Sequence, residues 1–111
     1  MAIYVLNSLI VPINFDKYEK VQVKLKKISL EEAKEILKNQ FISAVGHEGT
    51  ARMLSELLGI EVPTNRITIF MEPGDIAVHF FLKERVAEGK ILSKEELARL
   101  PYWLVLSEVE G

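Results

Sequence analysis

Two Ser-x-x-Glu signatures, Ser29 with Glu32 and Ser93 with Glu96, mark where two helices can begin in this chain. In such a capping box the serine hydroxyl takes a first-turn amide and the carboxylate returns to the cap amide, so the start of each helix is written locally. β-rich runs surround both. Ala2 to Leu6 is short and rich in Ile, Tyr and Val, and Lys20 to Lys26 alternates polar and apolar as a half-exposed strand does. Beyond Ser29, the residues Leu30, Ala33, Leu37 and Phe41 share one helical face. The spacing predicts a second helix from about Gly46 to Leu58, with Leu54, Leu57 and Leu58 inward and Gly59 as its stop. Arg66 to Met71 and Asp75 to Leu82 read as strands on either side of a Glu72-Pro73-Gly74 turn. The helix after Ser93 ends before Pro101, and Tyr102 to Val109 is a last strand. Pro12 within Leu9-Ile10-Val11-Pro12-Ile13 argues against a central strand there and leaves an apolar flap or interface element. The order ββααββαβ predicts an α/β fold: a single-domain mixed β-sheet of about five strands covered by helices, spanning residues 1–111.

Composition narrows the function classes. With 111 residues and 49% hydrophobic content, a core can form without covalent staples. The 14 basic and 16 acidic residues leave a net charge of −2, so bulk attraction to duplex nucleic acid is not expected and any polyanion site must be local. The absence of Cys excludes a disulfide framework, a thiolate zinc site and a thiol nucleophile. No apolar run approaches the ~18 residues of a membrane span, and Met1-Ala2-Ile3-Tyr4 lacks the basic start of a signal peptide. The expectation is a soluble cytoplasmic protein with no membrane partner and no cofactor.

Three places stand out chemically. In Ser43-Ala44-Val45-Gly46-His47-Glu48-Gly49-Thr50, two glycines bracket a histidine where a helix should begin. First-turn amides lack internal partners, small residues let an anion approach them, and the helix dipole favours negative charge there. His47, Thr50 and Leu54 are spaced to share a face, which would turn the imidazole and hydroxyl toward the buried stripe; an ordinary helix start capped by His is the competing reading. Leu82 to Lys90 carries three cations, two anions and a Gly hinge, and reads equally as a lid over Lys83 to Lys90 or as a solvated loop. Asn65-Arg66 stands at the entrance to an expected strand. A metal site is not expected, because His47 and His79 sit on different elements without an accompanying ligand pattern, and His79 on its apolar strand reads as structural. No GxSxG elbow supports a serine triad.

Taken together, Tyr4-Val5-Leu6-Asn7, Ile42 to Thr50, Asn65-Arg66 and Arg85-Val86-Ala87-Glu88-Gly89-Lys90-Ile91-Leu92, at these spacings, resemble the viral ring nucleases. These are anti-CRISPR proteins acting against type III systems, found in archaeal viruses, phages and some cellular genomes. The resemblance implies a homodimer that binds cyclic tetra-adenylate and cleaves it without metal to linear di-adenylates ending in 2′,3′-cyclic phosphate. It makes His47 the general acid and Arg85 and Glu88 the charged pair acting beside it. Asn7, Thr50 and Arg66 fall at ligand contacts, joined by Gly46 and by backbone near Ser8. Phe81 departs from the family pattern, standing where some viral members carry a polar ligand contact.

The residue types suit that reaction. The substrate supplies its own nucleophile, a ribose 2′-hydroxyl, so the protein must add in-line geometry, charge stabilisation and a proton for the departing 5′-oxygen. A histidine general acid adds roughly 10²–10⁴-fold, and an Arg offers a planar fork to phosphate oxygens. A cyclic tetranucleotide contains a two-fold axis, and a C2 dimer presents each residue twice across it. The alternative is a non-catalytic dimeric module binding nucleotide or single-stranded nucleic acid; more distant is a protein-interaction domain using the Leu9 to Ile13 flap. Single-strand binders stack bases on aromatics along a basic groove. Here the aromatics are expected to be buried, which favours the small ligand.

Overall fold

The computed structural model describes residues 1–83 and 101–111. Five strands, β1 (Ile3–Leu6), β2 (Gln22–Ile28), β3 (Ile42–Ser43), β4 (Ile76–Leu82) and β5 (Tyr102–Glu110), form one mixed sheet in the order β2-β5-β4-β1-β3. β1 runs parallel to both β3 and β4, whereas β5 is antiparallel to β4 and to β2. Helices α1 (Leu30–Leu37) and α2 (Glu48–Leu58) pack on one face. The α/β class and a five-strand mixed sheet follow the sequence reading. The helix expected after Ser93 lies outside the described residues, as does most of the Lys83 to Lys90 segment.

The helix-covered face holds the larger core. Ala33 and Leu37 of α1 and Ala51, Leu54 and Leu58 of α2 close over Val5, Val78, Phe80 and Leu104 of the sheet. Each large apolar side chain so buried contributes about 1.5–3 kcal/mol. α1 begins as written in the sequence: Ser29 Oγ accepts from Glu32 N at 3.1 Å, and the Glu32 carboxylate returns to the Ser29 amide. α2 starts two residues later than expected, at Glu48, and stops at Gly59, whose φ of 67° is left-handed.

Among the described residues, no helix packs on the opposite face. A smaller cluster of Leu6, Ala44, Met71, Ala77 and Val109 is covered by loop residues Val11, Ile13, Val21 and Ile69. Leu9 and Ile10 remain exposed, so only the second half of the expected flap is packed.

Two expectations are corrected, and one strand is added. Arg66 to Met71 is not a strand: β5 and β1 already occupy both edges of β4, and Met71 makes only an isolated bridge to Ile13. The parallel neighbour of β1 is instead the two-residue β3, too short to carry an alternation signal. β2 is not half-buried. Residues 22–27 are exposed on both sides because the strand is at the sheet edge, where α1 meets these residues only through Lys26 and Glu32 at 3.5 Å, and Leu25 is 62% exposed. Its lysines pair outward, Lys24 with Glu110 at 3.1 Å, and charged residues on an edge discourage pairing with another sheet.

Candidate functional site

β1, β3 and β4 are mutually parallel, so their carboxyl ends lie at one edge of the sheet. β1 ends into Asn7-Ser8, β3 into Ala44-Val45-Gly46-His47, and β4 into Lys83. At the ends of β1 and β3, neighbours in the sheet, the chain reverses the face it leaves over: Val11, Ile13 and Val21 after β1 pack on the smaller cluster, and α2 after β3 packs on the larger. In open α/β sheets, the carboxyl edge at such a reversal is where a crevice for ligand forms.

At the β3–α2 junction, His47 is the N-cap, not part of the helix: its φ is −122° and its ψ 119°. Its Nδ1 accepts from the Thr50 amide at 3.3 Å, and Thr50 Oγ1 lies 3.4 Å from the same nitrogen. With Nδ1 an acceptor, the neutral ring carries its proton on Nε2. The capping reading of His47 is therefore realised, and the shared-face expectation is not: the extended cap turns the imidazole to solvent while Leu54 is fully buried. Two close approaches account for the flanking glycines. A Cβ on Gly49 would meet His47 Cε1 at 3.2 Å, and one on Gly46 would meet Arg66 Cγ at 3.1 Å.

Arg66 reaches this junction from the loop after α2. Its Nε donates to the Gly46 carbonyl at 2.7 Å, which leaves the terminal guanidinium nitrogens to meet an anion. The residue before it supplies the anchor: Asn65 Nδ2 donates to Ser43 O and Asn65 N donates to Val45 O, both at 2.8 Å. Sequence reasoning gave Asn65 no part of its own, because its partners are backbone atoms some twenty positions away. Gly46, His47, Thr50 and Arg66 thus form one contiguous group at the start of an eleven-residue helix, whose dipole favours an anion. Asn7, exposed, and Ser8, half-buried, stand at the same sheet edge at the end of the neighbouring strand. Arg85 and Glu88 lie outside the described residues. Among the described residues, no three His, Asp or Glu side chains come together as a metal-ligand set.

His79 is structural as expected. It is fully buried, its Nδ1 donates to the Ser8 carbonyl at 2.7 Å, and its Nε2 accepts from Ser107 Oγ at 2.7 Å. Burial lowers its pKa below the ordinary histidine value, partly offset by the bond to Ser8. The expectation of buried aromatics is corrected. Phe15 is 68%, Phe70 54% and Trp103 39% exposed, since the uncovered face and the loops present them outward. Trp103 stacks on Phe81 at 5.5 Å, with Lys83 Nζ 5.5 Å from the indole centre.

Comparison with known proteins places this architecture. Residues 3–104 match the STIV B116-like family model. Uncharacterized protein 26 of Sulfolobus islandicus filamentous virus is 44% identical over 109 residues, covering 96% of this chain and 91% of that protein. YddF of Bacillus subtilis is 36% identical over 110 residues, covering 96% and 95%. The fold is that of B116 from Sulfolobus turreted icosahedral virus, with a TM-score of 0.81 at 21% identity over 97% of this chain and 99% of that one. Among the described residues, no helix is long and apolar enough to cross a membrane.

Proposed function

This chain belongs to the STIV B116-like family, and from that premise we propose that it is a metal-independent ring nuclease, cutting cyclic tetra-adenylate to linear di-adenylates with 2′,3′-cyclic phosphate ends and so silencing type III CRISPR signalling. The observation that carries the reading is the convergence of His47, Thr50, Gly46 and Arg66 on one helix start, at the carboxyl edge that also holds Asn7 and Ser8. An anionic ligand finds there the amides of α2, a guanidinium already oriented by the Gly46 carbonyl, and an imidazole facing solvent.

In the proposed reaction a ribose 2′-oxygen forms a bond to the adjacent phosphorus while the bond to the 5′-oxygen breaks. The proton lost from the 2′-hydroxyl leaves to solvent or a base, and the 5′-oxygen takes one from His47. A histidine that donates a proton must do so as imidazolium, and in that form Nδ1 turns from acceptor to donor. Thr50 Oγ1, 3.4 Å away, is then the acceptor within reach, so the hydroxyl holds the ring when its cap bond is lost. Arg85 and Glu88 enter through the family resemblance alone, as the charged pair beside the phosphate. Homodimerisation belongs to the same proposal. The sheet face opposite α1 and α2 leaves Leu25 62%, Trp103 39% and Val23 36% exposed, an apolar surface that a second copy could cover.

Incubation with cyclic tetra-adenylate in EDTA, with products resolved by mass, tests the activity. Di-adenylates carrying cyclic phosphate are expected, and intact ring would overturn the proposal. The exposed aromatics favour one second reading, a non-catalytic module for nucleotide or single-stranded nucleic acid. Binding of the intact ring or of oligoadenylate without any cleavage would select it.

A further inference from the structure

β1 makes its last ladder pairing at Leu6, opposite His79 of β4, and the chain then turns away into Asn7-Ser8. Beyond that point the Ser8 carbonyl is held by a side chain: His79 Nδ1 donates to it at 2.7 Å. The other ring nitrogen accepts from Ser107 Oγ, also at 2.7 Å, on the far neighbour β5. A carbonyl can only accept, so Nδ1 must carry the proton, and Nε2 is left to take the serine hydroxyl; the two partners admit a single neutral tautomer. All of His79 and Ser107 is buried, in a region where a leucine or phenylalanine would otherwise add core. A buried imidazole costs stability unless both nitrogens are satisfied, as these are. The pair therefore ties three adjacent strands together at the point where the β1 exit begins.

We infer that His79, oriented by Ser107, is a positioning residue for the candidate site, fixing the Asn7-Ser8 exit so that Asn7 and the adjoining backbone are held ready for the ligand. The inference rests on the reading of that edge as the cyclic tetra-adenylate site. It assigns to the histidine no contact with substrate and no part in proton transfer.

Hydrogen exchange of peptides spanning residues 7–13 and equilibrium binding of cyclic tetra-adenylate, measured on wild type, His79→Leu, His79→Asn and Ser107→Ala, test it. His79→Leu removes both bonds and is expected to speed exchange in 7–13 and weaken binding by about tenfold or more, with single-turnover cleavage at saturating ligand kept near wild type. His79→Asn places an amide donor near the Nδ1 position and is expected to recover most of both losses. Should His79→Leu fail to fold, Ser107→Ala carries the test, with a smaller rise in exchange and a smaller loss of affinity. Unchanged exchange in the folded variants would overturn the tie. Faster exchange with wild-type affinity would overturn the positioning role. Wild-type protein that neither binds nor cleaves the ring would instead defeat the proposed function, and the exchange measurements would still decide the tie.

Discussion

The N-cap role of His47 and the general-acid role proposed for it separate by substitution. As N-cap it satisfies the Thr50 amide, and as general acid it would release a proton from Nε2. Asn is among the best N-caps but donates no proton at neutral pH, so His47→Asn is expected to keep thermal stability near wild type and lower single-turnover cleavage by roughly 10²–10⁴-fold. His47→Ala should lose the same activity and about 1 kcal/mol of stability as well. Equal cleavage by wild type and His47→Asn would remove the histidine from the chemistry and leave it a cap. Thr50→Val keeps the backbone cap and deletes only Oγ1, so it is expected to reduce cleavage several-fold with little change in melting temperature. A loss of stability as large as that of His47→Ala would show the hydroxyl to be structural. Much at this scale was legible, because a histidine between glycines before an amphipathic run is a local pattern. The Ser107 partner of His79 was not, since the two residues are 28 positions apart and only the β4–β5 register joins them.

Elements were legible to the extent that their signals are local. The Ser29–Glu32 box and the Leu stripe of α2 are complete within a few residues, and both helices form where those signals stand. Strand membership is a contest for sheet edges that no single segment can report. Arg66 to Met71 has strand-like residues and loses, because β4 is already flanked on both sides. That loss is useful to the site: a chain free of the sheet can bring Asn65 to the end of β3 and lay Arg66 across Gly46. The β3–α2 junction therefore depends on absent side chains as much as on present ones. Gly46→Ala would place a Cβ 3.1 Å from Arg66 Cγ, tight enough that the arginine must yield a few tenths of an ångström. Affinity for cyclic tetra-adenylate is expected to fall several-fold with the melting temperature within a few degrees of wild type. Unchanged affinity, measured by calorimetry, would show that Arg66 adapts and that its seat on Gly46 is dispensable.

Among the described residues, α1 and α2 seal one sheet face and loops partly roof the other, and the two halves answer to different tests. The partly roofed side holds His79, whose pKa burial lowers. The unfolded chain then binds more protons than the native one. Stability is full above the unfolded histidine value of about 6.5 and falls as pH drops toward the lowered native value. His79→Asn should flatten that acid limb in melting temperature measured from pH 7.5 to 5, and an identical slope would assign the limb to other groups. The same side exposes Leu25, Val23 and Trp103, and there the proposed function makes its sharpest demand. A cyclic tetranucleotide carries a two-fold axis, so if it sits between two copies each His47 faces one of two opposite linkages, and two di-adenylates are the product. Ligand must then favour association, because only the dimer completes the site. Titration calorimetry paired with light scattering is expected to give one ring per two chains and a mass near twice the 12.6 kDa of the chain. Leu25→Lys adds charge to the exposed face at a residue outside the site, so it should weaken dimer and ligand affinity together while the monomer stays folded. One ring per chain with the protein monomeric throughout would refute the shared site and turn the same residues into a one-chain nucleotide cleft.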